Sequence, residues 1–511
     1  LHLHVWRPSP QADADDATAP APAPPLLLPV LVYLHGGSLV EGSAVAIQSG
    51  YGGPASLANR THHSSVNVAL NYRLGTLGFL ALRELADADA RAQGVSGNYG
   101  LLDVLEALRW IQRNIQSFGG DPARVTVYGQ SSGGSLVFAL MTSPNAVGLF
   151  ANAISMSGSP RMNSTFAEAA DYWHQEVVAG TPCKANASTP NTKPLRDCLL
   201  ALKPAQLVAA MPYDWDPGDG WSHRVFWDTY RYAPLLVIDG HVLPTDYRSP
   251  SKATKTPLSS NIALIIGVTR EEIDFAPGDD VRNMSLPALS AFLETALSNS
   301  SNPENAPMAP AAFARSVLDA YGLPENPIEG ERAPRELIFS DVISDATMLC
   351  GTYALADKWS EYRQALAVGA PIYMYAVSQR PGNPFCALNA FSHLDHPYCP
   401  QFSFHAVDMF ALFGWLPPAR TPGHTVIYNT TRGDVQWTEL LRTRLIDQFA
   451  YSSRVESPWR PYRTATGGAS ASTRHVVDFN VDNERVVVDL REQQCQLFLD
   501  QKFYSTKVWV N

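Results

Sequence analysis

Short, nearly continuous apolar runs recur along the chain. They are "LLLPVLVYL" (26–34), "SVNVALNY" (65–72), "VTVY" (125–128), "AISMSG" (153–158), "ALIIGV" (263–268) and "PIYMYAV" (371–377). Runs of this kind suit the buried strands of a parallel sheet, which are covered on both faces and so do not alternate. The first residues, "LHLHVW", do alternate and read as a strand with one face toward solvent. Between the runs the period changes. In "LLDVLEALRWIQRNI" (101–115), Leu101, Leu105, Leu108 and Ile111 fall near helical spacing, with Arg109 and Gln112 on the other side. Strands alternating with helices predict a doubly wound α/β core. The Pro- and Asn-rich stretch from about 276 to 330 reads as an excursion over that core, and no break is clean enough for a domain boundary.

One strand-to-helix junction carries chemistry. After Val125–Tyr128 the chain reads Gly129-Gln130-Ser131-Ser132-Gly133-Gly134 and then an apolar run of helical composition. G-x-S-x-G between a strand and a helix is a nucleophile elbow. Its central serine, Ser131, projects above the sheet, and small residues two positions either side let strand and helix approach. A serine hydroxyl needs a base to take its proton, and the base needs an orienting carboxylate. On this scaffold the order is Ser, acid, His. Glu271, Glu272 and Asp274 follow the run 263–268, and His393, His396 and His405 lie beyond 371–377. Spacing does not choose among them. The glycine turn "HGGS" after the run 26–34, with the N–H of Ser132, is the expected source of oxyanion donors.

Composition narrows the class. The 511 residues carry 38 Lys+Arg against 48 Asp+Glu, a net charge of −10, which argues against nucleic acid as a partner. No apolar run approaches the ~20 residues that span a bilayer. Residues 9–25 form an Ala/Pro/Asp-rich segment expected to be a solvated loop. The six cysteines form no close-set zinc pattern, and no metal or cofactor is expected. The spacings of Cys183 with Cys198 and of Cys386 with Cys399 suit local disulfides. Together with six Asn-x-Ser/Thr sequons, at Asn59, Asn163, Asn186, Asn283, Asn299 and Asn429, this points to a secreted, extracellular setting.

These residues resemble the type-B carboxylesterase/lipase family, which includes the cholinesterases. "FGGDPARVTVYGQSSGG" is similar to the family's serine signature FGGDPxxVTxxGESAGG, and "NYRLGTLGFL", "GNYGLLDVLEALRWIQRNI", "SGSP", "VIDG" and "PWRPY" resemble further blocks in the family's order. The resemblance implies one α/β-hydrolase domain over 1–511, preceded in the family by a segment expected to be missing here. It implies a serine hydrolase acting on small-molecule carboxylic esters, with no cofactor. "GVTREEI" resembles G-V-x-x-D/E-E-G, which selects Glu272. "FHAVDMFALFG" resembles H-G-x-E-x-x-x-x-F-G, which selects His405 and places Asp408 as a buried acid near the site. Gly37, Ser38 and Ser132 align with the family's oxyanion donors, and Tyr230 and Tyr232 align near the family's acyl pocket. Cys183–Cys198 and Cys350–Cys495 resemble family disulfides, whereas Cys386–Cys399 has no counterpart and is expected to staple the loop before His405.

The chain departs from the pattern at three positions near the site. Ser38 and Ile273 replace glycines, and Gln130 replaces the glutamate that in cholinesterases favours cationic substrates. Ser132 stands where the family usually has alanine. The family also contains non-catalytic adhesion proteins, which lose a triad member, and an inactive truncated member is a further alternative. This chain keeps all three aligned residues.

Overall fold

The computed structural model of the protein describes residues 2–8, 26–45, 53–58, 65–86, 96–160, 164–186, 192–211, 235–247, 261–275, 281, 284–300, 307–323, 335–365, 369–384, 399–414, 429–450, 458–463, 473–480, 485–501 and 503. Among them nine strands form one sheet in the order β1-β3-β2-β4-β5-β6-β7-β8-β9. They are β1 (His2–Trp6), β2 (Leu28–Leu34), β3 (Val66–Asn71), β4 (Gly120–Gln130), β5 (Asn152–Met156), β6 (Ala263–Thr269), β7 (Ile372–Val377), β8 (His475–Phe479) and β9 (Arg485–Val488). The seven interior strands are parallel, and β1 and β9 run antiparallel at the two edges.

Period-two alternation divides each interior strand between two cores. Val30, Val32 and Leu34 of β2 face one cluster with Val125 and Val127 of β4, Leu264 and Ile266 of β6 and Met374 of β7. Leu31, Tyr33, Tyr128, Ile265, Tyr373 and Tyr375 face the other. The first cluster takes helix α1 (Tyr99–Asn114), whose buried stripe includes Leu101, Leu105, Leu108 and Ile111, and helix α2 (Ser132–Thr142), buried along its whole length. The second takes helix α5 (Val407–Phe413). Burial on both faces is why the strands read as unbroken apolar runs.

Three features differ from the sequence expectation. β4 begins at Gly120 rather than Val125, because Leu28 pairs with Gly120 across an irregularity before regular pairing resumes at Val30 and Val125. The run 371–377 is followed by β8 and β9, which were not anticipated. The excursion after residue 276 contains helices α3 (Leu286–Ser300) and α4 (Pro310–Ala320), and it is no mere surface cover. Leu289, Leu293, Leu297, Phe313 and Val317 are fully buried in the first core.

Cys183 bonds Cys198 and Cys350 bonds Cys495, the latter tying the helix start at Cys350 to helix α6 (Glu492–Asp500). Cys399 is also disulfide-bonded. Its expected partner Cys386, the segment 9–25, and Tyr230, Tyr232, His393 and His396 lie outside the described residues.

Candidate active site

The site lies where the parallel strands end, the usual place for ligand chemistry on an open α/β sheet. β4 stops at Gln130 and α2 starts at Ser132, so Ser131 makes the whole turn, with φ 59° and ψ −127°. A non-glycine residue there carries strain of about 1–3 kcal/mol. The glycines show what holds the turn. A Cβ on Gly129 would lie 2.4 Å from the Gly133 carbonyl oxygen, and one on Gly133 would lie 2.1 Å from that of Leu34. Neither position has room for a side chain.

Glu272 and His405, 133 positions apart, meet with Glu272 Oε2 2.5 Å from His405 Nδ1. Glu272 is fully buried, and its other oxygen accepts from Ser157 Oγ at 2.7 Å and from the Thr269 N–H at 2.8 Å. Glu272 Oε2 accepts a hydrogen bond from His405 Nδ1–H, which fixes the tautomer that leaves the lone pair on Nε2. That lone pair meets Gln130, whose Nε2 lies 3.0 Å away and donates to it.

Backbone bonds join the acid turn to the histidine loop. Asp274 Oδ2 accepts from the N–H groups of Gln401 and Phe402 at 2.9 and 2.8 Å. Glu271 Oε2 accepts from the Ser403 N–H at 3.1 Å, while the Glu271 N–H donates to the Ser403 carbonyl and the His405 N–H to the Glu272 carbonyl. The three acids that sequence spacing left open therefore divide the work. Glu272 meets the imidazole, and Glu271 and Asp274 hold the chain that carries it. Burial raises the Glu271 carboxyl to about 8, with Arg270 opposing the rise and Asp341 adding to it.

The glycine turn sits against the elbow, since a Cβ on Gly36 would lie 2.8 Å from the Gln130 carbonyl and 3.0 Å from Ser131 Cβ. Gly37 (φ 110°), Ser38 (φ 53°) and Leu39 (φ 61°) all lie in the left-handed region. The N–H groups of Gly37, Ser38 and Ser132 have no protein acceptor among the described residues. His35, ahead of the turn, is buried, and desolvation lowers its imidazole to about 4, so the ring is neutral. Its Nδ1–H donates to the Gly36 carbonyl at 2.8 Å, and its ring stacks on Tyr72 at 4.4 Å.

Asp408 is buried on α5, and its carboxyl is raised to about 6, first by burial and further by the nearby Glu272 charge. The Tyr375 hydroxyl donates to it at 2.7 Å. Tyr375 reaches that position across Gly267, its partner in the β6–β7 register, where an added Cβ would sit 1.8 Å from the tyrosine ring. Ser157, Tyr72, Asp274 and Tyr375 were not singled out from the sequence as site-shaping groups in these roles. Signals for the first and third were present in "SGSP" and "REEID". Among the described residues no cluster of His, Cys, Asp and Glu is suited to a metal, and no helix is long and apolar enough to cross a membrane.

Comparison with known proteins agrees with this architecture. Residues 1–498 match the model of the Carboxylesterase family. The chain is 30% identical over 377 residues to the medium-chain fatty acyl-CoA hydrolase precursor of Anas platyrhynchos, covering 72% of this chain and 58% of the duck protein. It is 29% identical over 399 residues to the para-nitrobenzyl esterase of Bacillus subtilis, covering 76% of this chain and 64% of that enzyme. The chain thus spans about three-fifths of the length of these curated relatives. A solved structure titled PNB esterase superposes with a TM-score of 0.61 at 24% identity, covering 97% of this chain and 84% of that one, which shows the α/β-hydrolase fold. With a family model spanning nearly the whole sequence and that fold beneath it, the chain belongs to the Carboxylesterase family.

Proposed function

We propose that this protein hydrolyses carboxylic esters through an acyl-serine intermediate. The observation that carries the reading is the bond between His405, half-buried, and the fully buried Glu272, set beside an elbow whose Ser131 is held at positive φ. Ser131 Oγ attacks the ester carbonyl while His405 Nε2 takes its proton, and Glu272 holds the imidazole in the tautomer that leaves Nε2 free to accept. The Gln130 amide yields its bond to Nε2 as this happens. The tetrahedral oxyanion is received by the N–H groups of Gly37, Ser38 and Ser132. His405 then protonates the departing alcohol, and water, deprotonated in turn by His405, attacks the acyl carbon; as the bond to Ser131 Oγ breaks, His405 returns the proton to that oxygen and the acid departs.

Substrate class follows from the departures. An amide at Gln130 supplies no negative charge for a cationic alcohol, which favours neutral esters over choline esters. The Ser38 side chain beside the oxyanion site, with Tyr230 and Tyr232 as proposed lining of the acyl pocket, favours short acyl groups. A para-nitrobenzyl ester, the compound named for the Bacillus subtilis relative, is accordingly a reasonable starting substrate. The disulfides favour an oxidising, extracellular setting.

A fluorophosphonate probe tests the mechanism. The parent should label and S131A should not, and p-nitrophenyl esters of graded length should be cleaved with a preference for acetate and butyrate. Labelling of S131A equal to the parent would remove Ser131 as nucleophile. A folded parent that neither labels nor hydrolyses would favour a non-catalytic binding role.

A further inference from the structure

We propose that the side chain of Ser132 is a positioning residue for the oxyanion turn, and that residue 38 is what makes its hydroxyl necessary. The inference rests on the esterase reading, and it gives the second serine of the elbow a task beyond its backbone N–H. Ser132 Oγ accepts a hydrogen bond from the Leu39 N–H at 3.1 Å, and Ser132 and Leu39 are both fully buried. Leu39 directly follows Ser38, and these two side-chain-bearing residues lie consecutively at φ 61° and φ 53°. L residues seldom adopt that region, and a turn that needs two of them relaxes unless its surroundings over-determine it.

The surrounding bonds do so from several sides. Val40 and Glu41 N–H groups close the turn on the Gly37 carbonyl, and the Gly75 N–H holds the Leu39 carbonyl at 2.7 Å. The Ser132 bond differs from these in its partner, because it ties the turn to the helix whose own first N–H is the third oxyanion donor. The far end of the turn reaches the same place. The Tyr72 hydroxyl donates to the His35 carbonyl at 2.7 Å, and the Ser132 side chain lies beside that hydroxyl. Ser132 and Tyr72 together therefore anchor residue 35 and residue 39, with the donors Gly37 and Ser38 between them.

Removal of the hydroxyl leaves the Leu39 N–H buried without a partner. The turn relieves both this and its strain by rotating about residues 38 and 39, which redirects the Ser38 N–H. A glycine in place of Ser38 would occupy the left-handed region freely and would lessen the need for the tie, with Leu39 keeping its own positive φ.

The test is a double-mutant cycle of the parent, S132A, S38G and S38G/S132A. It is read by kcat and KM for p-nitrophenyl acetate, by affinity for a trifluoromethyl ketone, and by melting temperature. Loss of a whole oxyanion donor costs about 10²–10³ in kcat, so misdirecting one is expected to cost S132A about tenfold in kcat. KM should stay constant and ketone affinity should fall by the same factor. In the S38G background the same substitution should cost less than about threefold, since distant or independent sites would instead add. If S132A does not fold, S132C, with its poorer acceptor, takes its place in the cycle. Unchanged kcat and ketone affinity in S132A, or an equal loss in both backgrounds, would overturn the inference while leaving an active esterase. A parent that neither hydrolyses the ester nor binds the ketone would overturn the esterase reading and this inference with it.

Discussion

Replacing Glu271 with glutamine should make the protein less sensitive to alkali. In the folded chain this carboxyl is raised from 4.5 to about 8, mainly by burial. In the unfolded chain it ionises near 4.5, so across the interval between the two values folding takes up a proton, and stability falls as pH rises. The interval is worth at most roughly 5 kcal/mol, reached once the folded form also ionises above about pH 8. Glutamine keeps an oxygen to accept the Ser403 N–H, bonded at 3.1 Å in the parent, and has no proton to lose. Near pH 5 the two proteins should therefore unfold at similar urea concentrations. By pH 9, E271Q should be the more stable by about 3–5 kcal/mol, with the difference opening between about pH 5 and 8 and then levelling. Comparing unfolding free energies of the two proteins at each pH cancels the titration of groups not coupled to Glu271, leaving its neighbours Asp274 and Asp341 as the remaining contributors. A difference that stays flat from pH 5 to 9 would refute the assignment of a buried, neutral carboxyl that holds the histidine loop.

Asp408, raised from 3.8 to about 6, should produce the same pattern in an earlier window. The stability difference between D408N and the parent should grow from about pH 4 to 6 by at most roughly 3 kcal/mol and remain constant above that, read from the same titrations. S157A deletes a donor 2.7 Å from Glu272 Oε1. A hydrogen bond to a charged group is worth about 1.5–3 kcal/mol of stability, so S157A should lower the melting temperature, and kcat for p-nitrophenyl acetate should fall with it as Glu272 loses a partner that orients it. Replacing Cys350 and Cys495 with serine opens a link between residues 145 apart, against 15 for Cys183 and Cys198. Chain entropy predicts losses of about 5 and 3 kcal/mol respectively, so urea midpoints should rank in that order.

The parts of the site that were legible in the sequence are those whose constraint is local. Ser131 could be named because strand, glycines, serine and helix follow one another within a few residues, and each is demanded by the same turn. The interior strands could be found because burial on both faces leaves continuous apolar runs. Glu272 and His405 needed the family pattern, since three acids and three histidines satisfied the order that chain topology requires. What stayed hidden depends on partners far along the chain. Gln130 meets His405 across 275 positions, and Asp274 holds the Phe402 N–H across 128. β9 was missed for a different reason. It is a short edge strand with Val486 and Val488 exposed, so its residues carry no core pattern.

The stitching of the acid turn to the histidine loop has a consequence for how such a protein can be varied. Residues 271–274 and 401–405 grip each other directly, through main-chain bonds and two buried carboxyl groups. The relative placement of acid and base is thereby fixed locally, while the long intervening chain supplies the interior strand β7 with Tyr375 and the buried helices α3 and α4. A change within that chain should therefore cost stability before it disturbs the acid and the base, whose two short segments travel together as a single clasp.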